Sequence, residues 1–341
     1  MQVQDAKRVA ATWVAEHQEN RPDFRGAFYS GSTTELPPAD ELPATSDVDV
    51  VVLLATSEAP PKLGKFEHLG VLLEVTYLPE QTFADSEEVA GTFFLAPSFR
   101  TDQIIRDPTG QLRRLHQRIS THFAEPAEVR RRYEGVITKL EGGLAATDAG
   151  QPWHHQVTSW LFSTSLTTLV VLVAALQNPT VRLRYLRARE VLTRHGRDDL
   201  YAELLGLLGC AQVRPEQVQL HLDRLATTFD EAARLARTPF FFSNDITAAA
   251  RPVAVRGTQD LIDAGSHREA VFWLLATFAR CQQVLAADAH EVAAQTAPHF
   301  ADAVAELVQV ERPGDLRVRG DQVLGFLPRL RAAAEAILPV G

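Results

Sequence analysis

"SDVDVVVLL", residues 46–54, decides how the first part of this chain folds. Asp47 and Asp49 alternate with Val48 and Val50, and Val51 to Leu54 follow without a polar break. Alternation giving way to a continuous apolar run predicts a strand, central in its sheet because its second half has no wet face. Side chains two apart in a strand share a face, so both carboxylates project together, roughly 6.6 Å apart along a chain rising ~3.3 Å per residue. Like charges so placed beside a buried strand repel and need a cation between them. A hard divalent ion such as Mg²⁺ meets that need, since it takes oxygen ligands and often uses one or two carboxylates together with substrate phosphates.

Working outward, "FRGAFYS" (24–30) reads as a short strand ended by Gly31. Glycine lets backbone approach a phosphate closely, and the Ser32 hydroxyl adds a donor. Fourteen residues separate Ser32 from Asp47 and include Pro37, Pro38 and Pro43, which makes that stretch a loop. On the other side, "KFEHLGVLLEVTYLP" (65–79) is one long strand or a hairpin broken at Gly70. Within its second half Glu74 is the sole charge, costly there unless paired or bound to metal. Beside the aspartates it becomes a third metal ligand or a general base for an acceptor hydroxyl. "TDQIIRDPTG" (101–110) gives a short strand and a turn, and a helix follows over "QLRRLHQRISTHF".

Gly-Ser after a strand, then Ser-Asp-x-Asp entering an apolar strand, then an acid in the next strand, resembles the polymerase-β-type nucleotidyltransferase superfamily. The chain is most similar there to the aminoglycoside and lincosamide nucleotidyltransferases, which carry a helical C-terminal domain. The resemblance covers about the first 120 residues. It implies that Gly31 and Ser32 hold the phosphates of ATP or another NTP, and that Asp47, Asp49 and Glu74 bind Mg²⁺, as two ions. It further implies transfer of a nucleoside monophosphate to a hydroxyl of a small acceptor, such as a cationic aminoglycoside-like compound, with release of pyrophosphate. A non-catalytic nucleotide-binding regulatory module and a protein AMP-transferase are the alternatives. The spacer before Asp47 is longer than the family's usual one, as a loop insertion would make it, and leaves open whether a regular helix follows Ser32.

From about residue 125 the pattern is helical throughout. Helices are expected near 153–176, 181–195, 199–208, 215–236, 246–262, 267–286, 292–310 and 322–338. Another opens at Glu125-Pro126 and is ended or interrupted at Gly142-Gly143. The expected fold class is α+β: a nucleotidyltransferase fold over 1–124, its mixed sheet flanked by helices, then an all-α helical-bundle domain over 125–341 forming the acceptor side of a cleft.

Composition narrows the remaining classes. The 341 residues are 45% hydrophobic and 23% charged, which fits a folded globular chain. A net charge of −9 argues against nucleic acid as a partner. The longest apolar run, Leu169 to Leu176, falls short of the roughly 20 residues of a membrane helix, so no membrane partner is expected. Two distant cysteines, Cys210 and Cys281, leave no zinc spacing or disulfide framework and fit a cytoplasmic setting. Lysine is scarce, with only Lys7, Lys62, Lys65 and Lys139 among 34 basic residues, and reads as genome composition rather than chemistry. Lys139 reads as a solvated lysine sooner than a phosphate contact, and "PWHHQ" (152–156) as a helix start sooner than a substrate wall. Arg189 and His195 match the Arg…His pair of HEPN-type ribonucleases poorly.

Overall fold

The computed structural model describes residues 1–338. Its contacts divide the chain between Arg132 and Tyr133. The division falls inside a helix, α4 (Pro126–Ala145), eight residues beyond the boundary expected at 124.

The first unit is built on a five-stranded mixed sheet. Its elements in order are α1 (Val3–His17), β1 (Phe24–Ser30), β2 (Val48–Leu54), β3 (Gly64–His68), β4 (Val71–Pro79), α2 (Ser86–Gly91), β5 (Ile104–Arg106) and α3 (Gln111–His122). The spatial order is β3-β4-β2-β1-β5. β2 and β4 run parallel, and the other neighbours are antiparallel. The stretch left open as one strand or two is a hairpin, with His68 paired to Val71 across Leu69-Gly70. Both turn residues have positive φ, 48° and 76°, which defines a type I′ turn.

Period-2 alternation sorts the faces. Val48, Val50, Val52 and Leu54 of β2, with Val71, Leu73, Val75 and Tyr77 of β4, share one core with Ala6, Ala10, Trp13 and Val14 of α1. Each such Val or Leu, fully buried, stabilises by about 1.5–3 kcal/mol. A one-residue slip of β2 would drive Asp49 into that core, so the register is strongly specified. On the opposite face Phe28 meets Phe83 and Phe99 at ring distances of 5.6 and 5.0 Å. That aromatic group covers part of the face and leaves the part carrying the acids.

The proline-containing stretch before Asp47 is irregular, as expected, but it is tied down. Val3 and Gln4 at the start of α1 donate their N–H groups to the carbonyls of Asp40 and Pro38, and Leu42 donates to Met1. These bonds satisfy helix N-terminal donors that have no intrahelical partner, so the loop acts as the cap of α1.

The second unit is helical throughout its described residues. After the rest of α4 come α5 (Trp153–Ala174), α6 (Arg184–Arg194), α7 (Asp198–Leu208), α8 (Pro215–Leu235), α9 (Gly257–Asp263), α10 (His267–Asp288), α11 (His290–Val308) and α12 (Pro313–Ile337). The fold class is therefore α+β with an all-α second part. α5 and α10 are long and apolar enough to cross a membrane by composition alone, yet 83% and 89% of their most apolar windows are buried within the protein, as in core helices.

Three local expectations change. Gly142-Gly143 does not stop α4, which runs on to Ala145. A Cβ on Gly143 would lie 2.3 Å from Ser163 Oγ of α5, so the missing side chain serves helix packing rather than termination. The helix expected over 246–262 starts late, with a π turn at Pro252–Arg256 that leads directly into the short α9, and a separate 3₁₀ turn at Ser243–Asp245 precedes it. Pro252 has no N–H to donate and sits at the start of the π turn, where a regular ladder cannot pass through it. The last helix begins at Pro313 rather than near 322, because Pro at its first position suits a helix start. Cys210 and Cys281 are both fully buried and unbridged, and burial pushes the Cys210 thiol up to about 12.

Candidate metal and phosphate site

The pairing of four strands aligns four polar side chains in one row. Ser30 of β1 pairs with Asp49 of β2, Asp49 with Glu74 of β4, and Glu74 with Lys65 of β3. Directly paired residues point to the same face, so all four project away from the α1 core. Asp47, two residues before Asp49, joins the same face just ahead of β2. Ligand oxygens of Asp47, Asp49 and Glu74 all lie within 4.8 Å of one another.

Gly31 stands against this group. Its φ of 66° and ψ of −158° belong to a region that is essentially glycine-only. A Cβ built there would fall 1.8 Å from Asp49 Oδ2, so the corner exists only because the residue lacks a side chain. Ser32 follows, exposed, and opens a single 3₁₀ turn over Ser32–Thr34 rather than a regular helix. Ser30 is held from the other side by a 3.1 Å hydrogen bond from Ser98 Oγ to its hydroxyl. The structure thus brings Gly31, Asp47, Asp49 and Glu74 together and sets Ser32 at the exposed edge of the same corner.

Two further residues, which the sequence pattern did not single out, join the acid cluster. Lys65 makes ion pairs with Glu74 and, at 2.6 Å, with Asp47, and Lys62 pairs with the second oxygen of Glu74. The side chains of Lys65 and Glu74 are each only 7% exposed and that of Asp47 14%, so these are desolvated contacts rather than surface pairs. A signal for Lys65 was present: with a two-residue turn at Leu69-Gly70, counting outward places residue 65 opposite residue 74. The unit's remaining lysine, Lys7, is on the opposite face, donating to Gln103 at 2.9 Å beside the Tyr29 ring, and burial lowers its pKa.

The donor set fits a hard divalent cation. It offers carboxylate oxygens alone, with a glycine corner against which the Asp49 carboxylate packs, and a cationic ammonium already sits among the acids. Asp47 and Asp49, with Glu74, are the residues that would hold such an ion.

The other residues weighed from sequence lie in the second unit. Lys139 is on an exposed position of α4, and Trp153 to Gln156 begin α5. Arg189 is bound to Glu269 at 2.7 Å and to Ser266 at 3.1 Å, an internal contact of the helical unit, while His195 ends α6.

No protein-family model matches the chain, and no curated protein matches it. Among solved structures it is similar to a nucleotidyltransferase-like protein from Exiguobacterium sibiricum, over 95% of this chain and 91% of that one, at 11% identity and a TM-score of 0.26. Likeness at that level carries no argument about residues or activity.

Proposed function

We propose that the protein is a Mg²⁺-dependent nucleotidyltransferase, moving a nucleoside monophosphate from an NTP, ATP in the first instance, to a hydroxyl of a small acceptor with release of pyrophosphate. One observation carries the reading. Two aspartates at the start of β2 and a glutamate from the parallel neighbour β4 converge within 4.8 Å, beside a glycine whose missing side chain admits the Asp49 carboxylate. Mg²⁺ bound there would supply charge neutralisation for the triphosphate and a lowered pKa for the attacking hydroxyl. The chain's own residues do the rest. Asp47 and Asp49 fix the cation on the sheet face, and Gly31-Ser32 bring backbone and a hydroxyl to the phosphates. The ammonium groups of Lys62 and Lys65 add positive charge where the transferring phosphoryl group develops negative charge. An acidic chain with a net charge of −9 favours a cationic acceptor, an aminoglycoside-like amine-bearing alcohol being the type to try first.

The test is release of pyrophosphate from ATP with Mg²⁺ across a panel of amine-bearing and neutral hydroxyl acceptors. Turnover lost on Asp47→Asn and Asp49→Asn supports the proposal, and turnover unchanged in both overturns it. The lysines paired into the acid cluster favour a second reading, a nucleotide-binding module without turnover. Calorimetric ATP binding with no product from any acceptor would select it.

A further inference from the structure

One lysine stands inside the acid cluster. The Lys65 ammonium contacts Asp47 Oδ2 at 2.6 Å and also Glu74 Oε2. Those oxygens belong to two different acids, in a set whose ligand atoms lie within 4.8 Å of one another. The ammonium thus holds the space from which a small ion would reach both carboxylates. Its side chain is 7% exposed, so little water screens it from a second cation brought beside it. Mg²⁺ takes its oxygens at about 2.0–2.1 Å in near-ideal octahedral geometry. An ion using Asp47 or Glu74 would therefore meet the ammonium at contact range.

Lys65 has a way out. β3 is an edge strand of the sheet, with β4 as its one neighbour. A lysine side chain is a compact charge on a flexible stem, and here it can swing past the open edge without crossing another strand. Lys62, just ahead of β3, is already 35% exposed while it takes Glu74 Oε1.

Resting on the nucleotidyl-transfer reading above, we infer that Lys65 and the divalent ion are alternative occupants of the acid cluster. Without metal, Lys65 holds Asp47 and Glu74 together and offsets their repulsion. As the ion enters, Lys65 gives up both carboxylates and becomes exposed at the sheet edge. Metal affinity is then a difference between two cations, and Lys65 sets how much free metal the site needs.

Lysine labelling reads the exchange directly, because Lys7, Lys62, Lys65 and Lys139 are the only lysines of the chain. The full chain is pulsed with acetic anhydride in EDTA and in saturating Mn²⁺. Occupancy is counted by electron paramagnetic resonance, and acetylation of each lysine by mass spectrometry. Lys65 should be protected in EDTA, and its acetylation should rise at least ~10-fold in Mn²⁺, as a shift from about a tenth released to nearly all released would give. Lys7, on the opposite face of the sheet, should not change. Mn²⁺ bound with Lys65 still protected overturns the inference, since ion and ammonium would then share the carboxylates. Lys65→Met should bind Mn²⁺ at least ~10-fold more tightly than the wild type, and unchanged affinity also overturns the inference. Binding by Lys65→Met alone is the same exchange at its limit and supports it. Absence of Mn²⁺ from both proteins overturns instead the nucleotidyl-transfer reading. Should Lys65→Met fail to fold, Lys65→Gln takes its place, and acetylation of the wild type stands by itself.

Discussion

Lys65 and Glu74 face each other across the β3–β4 hairpin, and from that position the lysine ammonium also reaches Asp47 at 2.6 Å. Both side chains of the hairpin pair are 7% exposed. Removing Lys65 takes a nearly buried ammonium from both Asp47 and Glu74 and leaves Glu74 with Lys62. Lys65→Met is expected to destabilise the protein by about 3 kcal/mol, the lower end for a broken buried pair. Adding Glu74→Gln should recover at least ~1 kcal/mol of that loss, since the two sites are coupled. Urea denaturation of the single and double variants, followed by far-ultraviolet circular dichroism, measures both, and additive losses would show that the pair is not coupled.

Gly31→Ala tests the corner. The new methyl group would enter the space of the Asp49 carboxylate, in a backbone region that a side chain cannot adopt without strain. A loss of about 1–3 kcal/mol is expected, together with weakened Mn²⁺ binding because Asp49 must move. Thermal denaturation and metal titration of the same preparation check the two effects.

Asp49→Asn keeps the shape of the side chain and removes its charge. Mg²⁺-dependent pyrophosphate release should fall by more than ~100-fold, beyond the 10- to 100-fold typical of groups one step further from a metal. Steady-state assays over a range of Mg²⁺ concentrations would show whether excess metal restores any of it.

Leu69 offers a stabilising change. It is 69% exposed and holds a φ of 48°, a conformation that suits Asn or Gly better than a branched apolar side chain. Leu69→Asn should raise stability by about 0.5–1 kcal/mol, read as an increase in thermal midpoint. No change would argue that the turn is held by its flanking strands alone.

His154 sets an acid limit on the helical unit. Burial, reinforced by the adjacent His155, lowers its pKa from 6.5 to about 4. Between those values the unfolded chain binds a proton that the folded chain does not. Stability should fall as pH drops from 6.5 toward 4 and be indifferent to this group above 6.5. His154→Gln should flatten the decline in that window, measured as thermal midpoint against pH.

The acids were legible because strand periodicity is a local property. Once Val48 and Val50 are assigned inward, Asp47 and Asp49 must share the outward face, and Glu74 is the sole charge of its strand. The lysines were not legible on the same terms. Their place depends on which residues form the turn, and "HLGV" did not decide between one strand and two until the positive φ angles of Leu69 and Gly70 were seen. Gly142-Gly143 misled for a tertiary reason, since what the pair accommodates is Ser163 on another helix. The stretch 246–262 carries helical periodicity but contains Pro252, and the missing N–H outweighed the pattern.

The two enclosed thiols have a practical consequence. Cys210 and Cys281 both belong to the helical unit, whereas Trp13 is the only tryptophan ahead of residue 133. A thiol-reactive dye added during denaturation will therefore respond only when the helices come apart, and in a chain with Trp153, Trp160 and Trp273 replaced by Phe, indole emission from Trp13 follows the sheet. The two signals then report on separate halves, so whether the halves melt in one step or two can be learned from one preparation.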